Sequence, residues 1–334
     1  MKVLALGDEP HVEIDYEAIE IAPGEFITWD HLHGFTNNYR SITLDRFNKG
    51  VVHTEYILPD VVKQRYPALD LRFDATMMIH NNHFDAFPFY VQEPPTKTWT
   101  NFVSTFNKTR TTTKQNLLLL CYANGWFDPT YVSKCFAISH DQAQSFFDAV
   151  NRPLPQDLDK FCKLINQFEL TGYGNIKADL ELLVPKIHQS YLHLVTETIG
   201  DSAVPFPTEK FLFPVCAKTL WIAYAPVGYH AFIEKHIGFR KHKVIDYHFD
   251  DEADAQKRLL KIEQVIKDLA SKSAAELEYI YAVNQDVLEY NFQLVKSGKF
   301  IENLKKQDQA SDAICAYRCR QQANKRYRRF MDIT

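Results

Sequence analysis

The chain has 334 residues, 46% hydrophobic and 24% charged, an ordinary globular balance with enough material for two domains with separate cores. A formal net charge of −4 excludes a uniform field that would draw a polyanion over the whole surface. Six cysteines at irregular spacing with no CxxC pair argue against a disulfide framework or a structural zinc site.

The start, MKVLALGDEP, turns acidic too soon for a signal peptide, and no apolar run approaches the roughly 20 residues that span a bilayer. The expectation is a protein of the reducing cytoplasm, host cytoplasm if viral, with no membrane insertion. Residues 1–6 form a short apolar run closed by Gly7 and Asp8 and predict a buried strand. Residues 75–79 and 87–91 predict two more, the second running into Pro94-Pro95. Residues 113–125 predict a helix stopped by glycine, 131–138 a loop and strand, and 155–168 a helix with Asp157 in its first turn. Residues 190–198 read as a strand, 209–216 as a helix after Pro207-Thr208, and 219–224 as another strand. Strand, helix and strand within about 35 residues make a βαβ unit, whose crossover implies parallel pairing. From Ala253 onward the pattern is helical, with Leu259, Ile262, Val265, Ile266 and Leu269 at helical spacing. The domain join is expected in the proline-bearing stretch 150–156.

Chemistry concentrates between residues 190 and 269. Glu197 leaves the carboxyl end of one predicted strand, and Thr208-Glu209-Lys210 opens the next helix. In an open α/β sheet, ligands bind in the crevice beyond the carboxyl ends of the strands. A helix start offers unpaired N–H groups to a diphosphate, Lys210 adds a point charge, and Glu209 can accept hydrogen bonds from hydroxyls. A carboxylate for hydroxyls beside a cation for phosphates suits a nucleotide sugar. The plain structural alternative makes Thr208 an N-cap, Glu209 a dipole-friendly acid and Lys210 a solvated charge.

The block Glu197, Thr208-Glu209-Lys210, Leu220-Trp221-Ile222, Gly228-Tyr229, Gly238-Phe239, Asp250-Asp251-Glu252 and Arg258 resembles, in order and spacing, the carboxyl-terminal half of a family of viral and bacterial GT-B-type glycosyltransferases. That family is distantly fucosyltransferase-like. Upstream, Asn107-Lys108-Thr109-Arg110 resembles the family's Asn-Arg-x-x-Arg stretch, so the resemblance spans roughly residues 100–270. It departs from the family at Arg240-Lys241-His242-Lys243, a more basic surface after Gly-Phe. The resemblance implies an α/β fold with two Rossmann-like lobes and a helical carboxyl-terminal extension. It divides the chain into an acceptor-side domain at 1–150, a donor domain at 151–270, and helices at 271–334 that pack back across the lobes. It implies donor contacts from Asn107, Lys108, Arg110, Glu197, Thr208, Glu209, Lys210, Gly228 and Tyr229. It also implies metal-independent transfer, with no bound cofactor and a nucleotide-diphosphate sugar as co-substrate.

An inverting transfer needs a general base. Asp30, between Trp29 and His31, and Asp85, after His80 and His83, are the candidates by composition, beside Glu209. The pairs His31/His33 and His80/His83 lack a third metal ligand. Asp157-Leu158-Asp159 matches the DxD of metal-dependent transferases, but it opens a helix and reads as dipole-compensating acids. For the acceptor, a hydroxymethylated base in viral DNA agrees with Arg240, Lys241 and Lys243 and with the basic, aromatic tail carrying Arg326, Arg328 and Arg329. A solvated helix face explains the same tail. The alternatives are a glycan or lipopolysaccharide acceptor seated on Trp29, Trp99 or Trp126, and a non-catalytic nucleic-acid-binding or scaffold protein.

Overall fold

The computed structural model describes residues 4–5, 25–27, 35–41, 44–46, 50–107, 111–126, 128, 131–134, 138–160, 175–197 and 200–309. Among the candidates, Asp30, Lys108, Arg110, Arg326, Arg328 and Arg329 lie outside these residues, as do Trp29, His31 and His33.

The chain forms two compact units. The first comprises Met1–His33, Tyr39–Asn81 and Leu304–Thr334, and the second Gly34–Asn38 and Asn82–Asn303. In the first unit, β1 (Leu4–Ala5), β2 (Glu25–Ile27), β3 (Gly50–Thr54) and β4 (Leu69–Phe73) form a parallel sheet in sequence order. The β4 sequence LDLRF alternates, burying Leu69, Leu71 and Phe73. The helix Asp60–Arg65 makes the crossover from β3 to β4. Beyond β4, the backbone N–H of Gln309 donates to the Phe73 carbonyl at 2.9 Å.

Two expected strands are helices. Residues 75–79 fall in the helix Ala75–Asn81, where the Met78 N–H donates back to the Asp74 carbonyl. The apolar run ATMMI has no period-2 alternation to hold it in a sheet. Residues 87–91 fall in the helical turn Phe87–Tyr90, where Pro88 sits in the first turn, a position that needs no N–H donor.

The second unit carries β5 (Asn101–Asn107), β6 (Val132–Lys134), β7 (Ser190–Thr196) and β8 (Leu220–Tyr224), all parallel, in the spatial order β6-β5-β7-β8. The direction of winding reverses between β5 and β7, which is a topological switch point. Residues 150–156, where the sequence puts the join, lie inside this unit, because β5 and β6 share one sheet with β7 and β8. The strand and helix expectations for 190–224 hold, with β7 fully buried along its length.

The helix Thr112–Ala123 follows β5. Thr111 caps it by accepting from the Lys114 N–H, and Gly125 at φ 69° stops it. The helix His140–Ala149 opens on a capping box of Ser139 and Gln142, and Ala255–Ala270 opens on Asp254. Val103, Leu192, Leu194, Leu220 and Ile222 pack in one core with Leu117, Leu118 and Leu120 of the first helix and Leu259 and Ile262 of the last. Phe35 clips onto this unit, its N–H donating to the Ser202 hydroxyl and its carbonyl accepting from Ala203.

Candidate functional site

The carboxyl ends of β7 and β8 gather Glu197, Thr208, Glu209, Lys210, Gly228 and Tyr229 into one cluster. Glu197 follows β7 directly, and its own N–H donates to the Tyr224 carbonyl at 3.2 Å. Its carboxylate is buried, 1% exposed, and accepts from the Thr208 N–H at 3.0 Å, from the Thr208 hydroxyl at 2.6 Å and from the Tyr229 hydroxyl. Both oxygens are thus engaged by protein donors. In this geometry Glu197 shapes the turn at 208–210 instead of offering an oxygen to a ligand.

Lys210 stands at the accessible rim of the cluster, its side chain 22% exposed, and donates to the Thr208 hydroxyl at 2.8 Å and to Glu209 at 3.3 Å. Burial works against its ammonium, but the carboxylates of Glu209 and Glu197 outweigh that and raise its pKa above the ordinary lysine value. Lys210 is therefore a fixed positive charge. Burial, followed by the neighbouring Glu197, raises the Tyr229 phenol well above its usual range, so it remains a hydrogen-bond donor.

The expected helix amino terminus is smaller than the sequence suggests. Glu209–Phe211 is a single 3₁₀ turn, and the α-helix behind it, Leu212–Cys216, has 5 residues. So short a helix has little dipole to offer an anion, which leaves Lys210 as the cluster's electrostatic asset. Thr208 does not cap the turn either, because its hydroxyl is committed to Glu197.

A second layer holds the cluster. Gly228, at φ 73°, lets the chain turn from β8 into the helical turn Tyr229–Phe232, and its N–H donates to the Asp250 carbonyl at 2.7 Å. The Asp250 carboxylate accepts from the backbone N–H groups of His230 and Ala231 and from the His230 ring. Burial pushes the Asp250 pKa up, but these bonds, His230's first, hold it below the usual carboxylate range. His230 Nε2 accepts from the Ala223 N–H at 3.1 Å, so its proton sits on Nδ1, facing Asp250. Asp250 thereby fixes Tyr229, Tyr229 bonds Glu197, and Glu197 sets Thr208 beneath Lys210. Arg258 is buried and donates to the Gly200 carbonyl at 2.6 Å and to the Glu252 carbonyl, tying down the loop after Glu197.

No protein-family model matches the sequence, and no curated protein matches it. One solved structure is similar. It is a DNA-modifying enzyme, β-glucosyltransferase, determined in the presence and absence of the substrate uridine diphosphoglucose, with TM-score 0.37 and 12% identity over 83% of this chain and 74% of that chain. A superposition this loose does not define a shared fold.

The remaining described candidates have other partners. Asn107 ends β5, nearly fully buried, with its amide donating to Thr105. Asp85 lies in the 3₁₀ turn Phe84–Ala86 and belongs to the second unit, not the first. Asp157 and Asp159 flank the start of a helical segment, as expected. The basic run 240–243 is held by helix asparagines: Asn291 pairs with the Arg240 backbone and Asn284 with that of Lys243. Its charges have local partners, with Arg240 stacked 3.7 Å over the Tyr290 ring, Lys243 2.7 Å from Asp286, and Lys241 4.0 Å from Glu234. Trp99 is half-buried against the core, edge-on to both Tyr191 and Tyr281, so its ring is engaged by protein aromatics. Among the described residues, no three His, Cys, Asp or Glu side chains converge to hold a metal. Composition did not single out Asp250 or Arg258 as positioning groups; their only signal was their place in the family-like block.

Proposed function

We propose that the chain is a glycosyltransferase that takes a sugar from a nucleotide-diphosphate donor. The observation that carries this reading is Lys210, an ammonium held charged by two carboxylates at the carboxyl edge of a parallel sheet. As the nucleotide diphosphate leaves the sugar, negative charge grows on its bridging oxygen, and a fixed cation aimed there lowers the barrier more than it tightens substrate binding. Lys210 fills that role without a metal. Glu209, beside it and 29% exposed, is suited to a donor hydroxyl or to the general-base role. Glu197, Thr208, Tyr229 and Asp250 act as positioning residues.

The acceptor proposed is a hydroxymethylated base in DNA, which must be exposed from the duplex to react. The family-like block from Glu197 to Arg258 supports a GT-B-like enzyme, and by the same resemblance Asn107, Lys108 and Arg110 are proposed as donor contacts. The test is a thermal-shift panel of nucleoside diphosphates and their sugar conjugates, with and without chelator, on wild-type protein and Lys210→Met. A ligand at 100 times its Kd adds about 2.7 kcal/mol of stability. Stabilisation by one nucleotide that survives chelation and disappears in Lys210→Met, followed by sugar transfer to hydroxymethylcytosine DNA, is the expected result. No response to any nucleotide would refute it.

A further inference from the structure

The helix Thr112–Ala123 follows β5 and Tyr224 ends β8, and a cavity of about 500 Å³ opens between them at the carboxyl edge of the second unit's sheet. It has the size of a small-molecule site and lies where open α/β sheets take their ligands. The helices His140–Ala149 and Ala255–Ala270 complete its walls. The Glu197 N–H donates to the Tyr224 carbonyl at 3.2 Å, so one backbone hydrogen bond joins the cavity wall to the cluster around Lys210.

Two linked amides on this wall have a fixed polarity. The Ser139 N–H donates to one end of the Gln142 side chain at 2.9 Å, so that end is the oxygen, Oε1. Gln115, 5% exposed, meets the same oxygen at 3.2 Å and does so with its Nε2 donor. Gln115 Oε1, an acceptor, and Gln142 Nε2, a donor, are left with no hydrogen-bond partner among the described residues. Neither is among the described side-chain atoms that are both sealed and unpartnered, so each is open to the cavity that its residue lines. Tyr224, 3% exposed, brings a third such group to the same cavity: its hydroxyl bonds no described residue, and burial raises its pKa to about 12, which keeps it a donor near neutral pH.

We propose that this cavity is a nucleobase subsite in which the Gln115–Gln142 pair reads the edge of the base. The assignment rests on the glycosyltransferase reading and deepens it. A base edge sets a donor next to an acceptor in one plane, N–H beside C=O or NH₂ beside a ring nitrogen, and such an edge complements Gln115 Oε1 and Gln142 Nε2. A hydroxyl can turn to donate or to accept, so amides of fixed polarity gain no selectivity among sugars. Asp141 and Asp201 line the cavity and none of its described lining residues is basic, so it takes a neutral ring and repels phosphate. The buried side chain of Phe146 gives that ring an apolar wall. The base can come from the donor nucleotide or from the nucleotide that accepts the sugar.

Gln115→Met keeps the length of the side chain and removes its amide, while Gln142 keeps its bond to Ser139; Tyr224→Phe removes a hydroxyl alone. Calorimetry on wild type and both variants measures the uridine, cytidine, guanosine and adenosine diphosphates, inorganic diphosphate, and a single-stranded oligonucleotide carrying hydroxymethylcytosine or an abasic site at one position. If the donor supplies the base, wild type prefers one nucleoside diphosphate over the others by about tenfold, Gln115→Met loses that preference and about tenfold in affinity, and inorganic diphosphate binds all three proteins alike. If the acceptor supplies it, the nucleoside diphosphates do not distinguish the three proteins, and wild type holds the hydroxymethylcytosine strand about tenfold more tightly than the abasic one, a margin that Gln115→Met erases. In either case Tyr224→Phe weakens the same ligand, and it decides the matter if Gln115→Met does not fold. Base-bearing ligands that bind and ignore these substitutions, or an equal loss with inorganic diphosphate, overturn the subsite alone. Wild-type protein that binds no nucleotide overturns the glycosyltransferase reading and the subsite with it.

Discussion

Glu197→Gln separates a residue that shapes the site from one that touches substrate. The carboxylate accepts three hydrogen bonds, two on Oε1, from the Thr208 N–H and the Tyr229 hydroxyl, and one on Oε2, from the Thr208 hydroxyl. Glutamine keeps a single acceptor oxygen, which can serve the first two donors. Its amide N–H₂ then faces a Thr208 oxygen that already accepts from Lys210, and the Thr208 hydroxyl proton loses its acceptor. An unsatisfied buried donor costs about 1–3 kcal/mol, and the surviving bonds lose their charge assistance, so a total of about 3 kcal/mol is expected. For a unit of this size the melting temperature falls by about 2–4 °C per kcal/mol, hence by about 6–12 °C. Lys210 also loses one of the two carboxylates that hold its charge, so affinity for a nucleoside diphosphate falls as well, measured well below the melting temperature. A melting temperature within about 2 °C of wild type would refute the buried, three-bond role, since an exposed ligand contact carries little stability.

Two further outcomes follow from the same packing. His193 and His242 are held neutral by burial, their pKa values depressed to about 3, with His242 Nε2 accepting from the Trp221 N–H and His193 Nδ1 bonded to Ser104. An unfolded histidine titrates near 6.5, so the unfolded chain takes up protons first as pH falls, and each residue withdraws about 2 kcal/mol of stability by pH 5. Stability is therefore full above about pH 7 and drops by about 4 kcal/mol at pH 5, checked by denaturant melts at the two pH values; identical midpoints would contradict the buried neutral rings. Gly200→Ala places a Cβ well inside van der Waals contact with the Thr113 side chain, displacing the loop after Glu197. A loss of about 1–3 kcal/mol and weakened nucleotide binding are expected, and an unchanged melt would show that the loop gives way freely.

The sequence was most legible where hydrophobicity and chain punctuation agree. Residues 190–224 combine continuous apolar strands with a proline-marked crossover, the helix Ala255–Ala270 keeps an apolar stripe, and both it and Ala274–Val283 open on side-chain caps. The grouping of Glu197 with Thr208, Lys210 and Tyr229 was also readable, because all four follow or precede strands of one βαβ unit. Their division of labour was not. Nothing in the pattern says that Glu197 is sealed by Thr208 and Tyr229, since a carboxylate at a strand end is the same letter whether it faces a ligand or a hydroxyl. The strand β5 was missed because Asn101, Ser104, Thr105 and Asn107 interrupt its apolar run, and their partners, such as His193, lie far along the chain. The strand β4 did carry a readable alternation, whereas 75–79 and 87–91 are apolar without period and were settled by Asp74 and Pro88.

The outer margin of β8 has a consequence of its own. Its outward N–H groups at Trp221 and Ala223 end on the rings of His242 and His230, where another strand could otherwise dock. The two rings thus occupy the hydrogen-bonding positions that a further strand would need, so this margin is closed by side chains of the chain's own fold and offers a neighbouring molecule no free ladder at those two places.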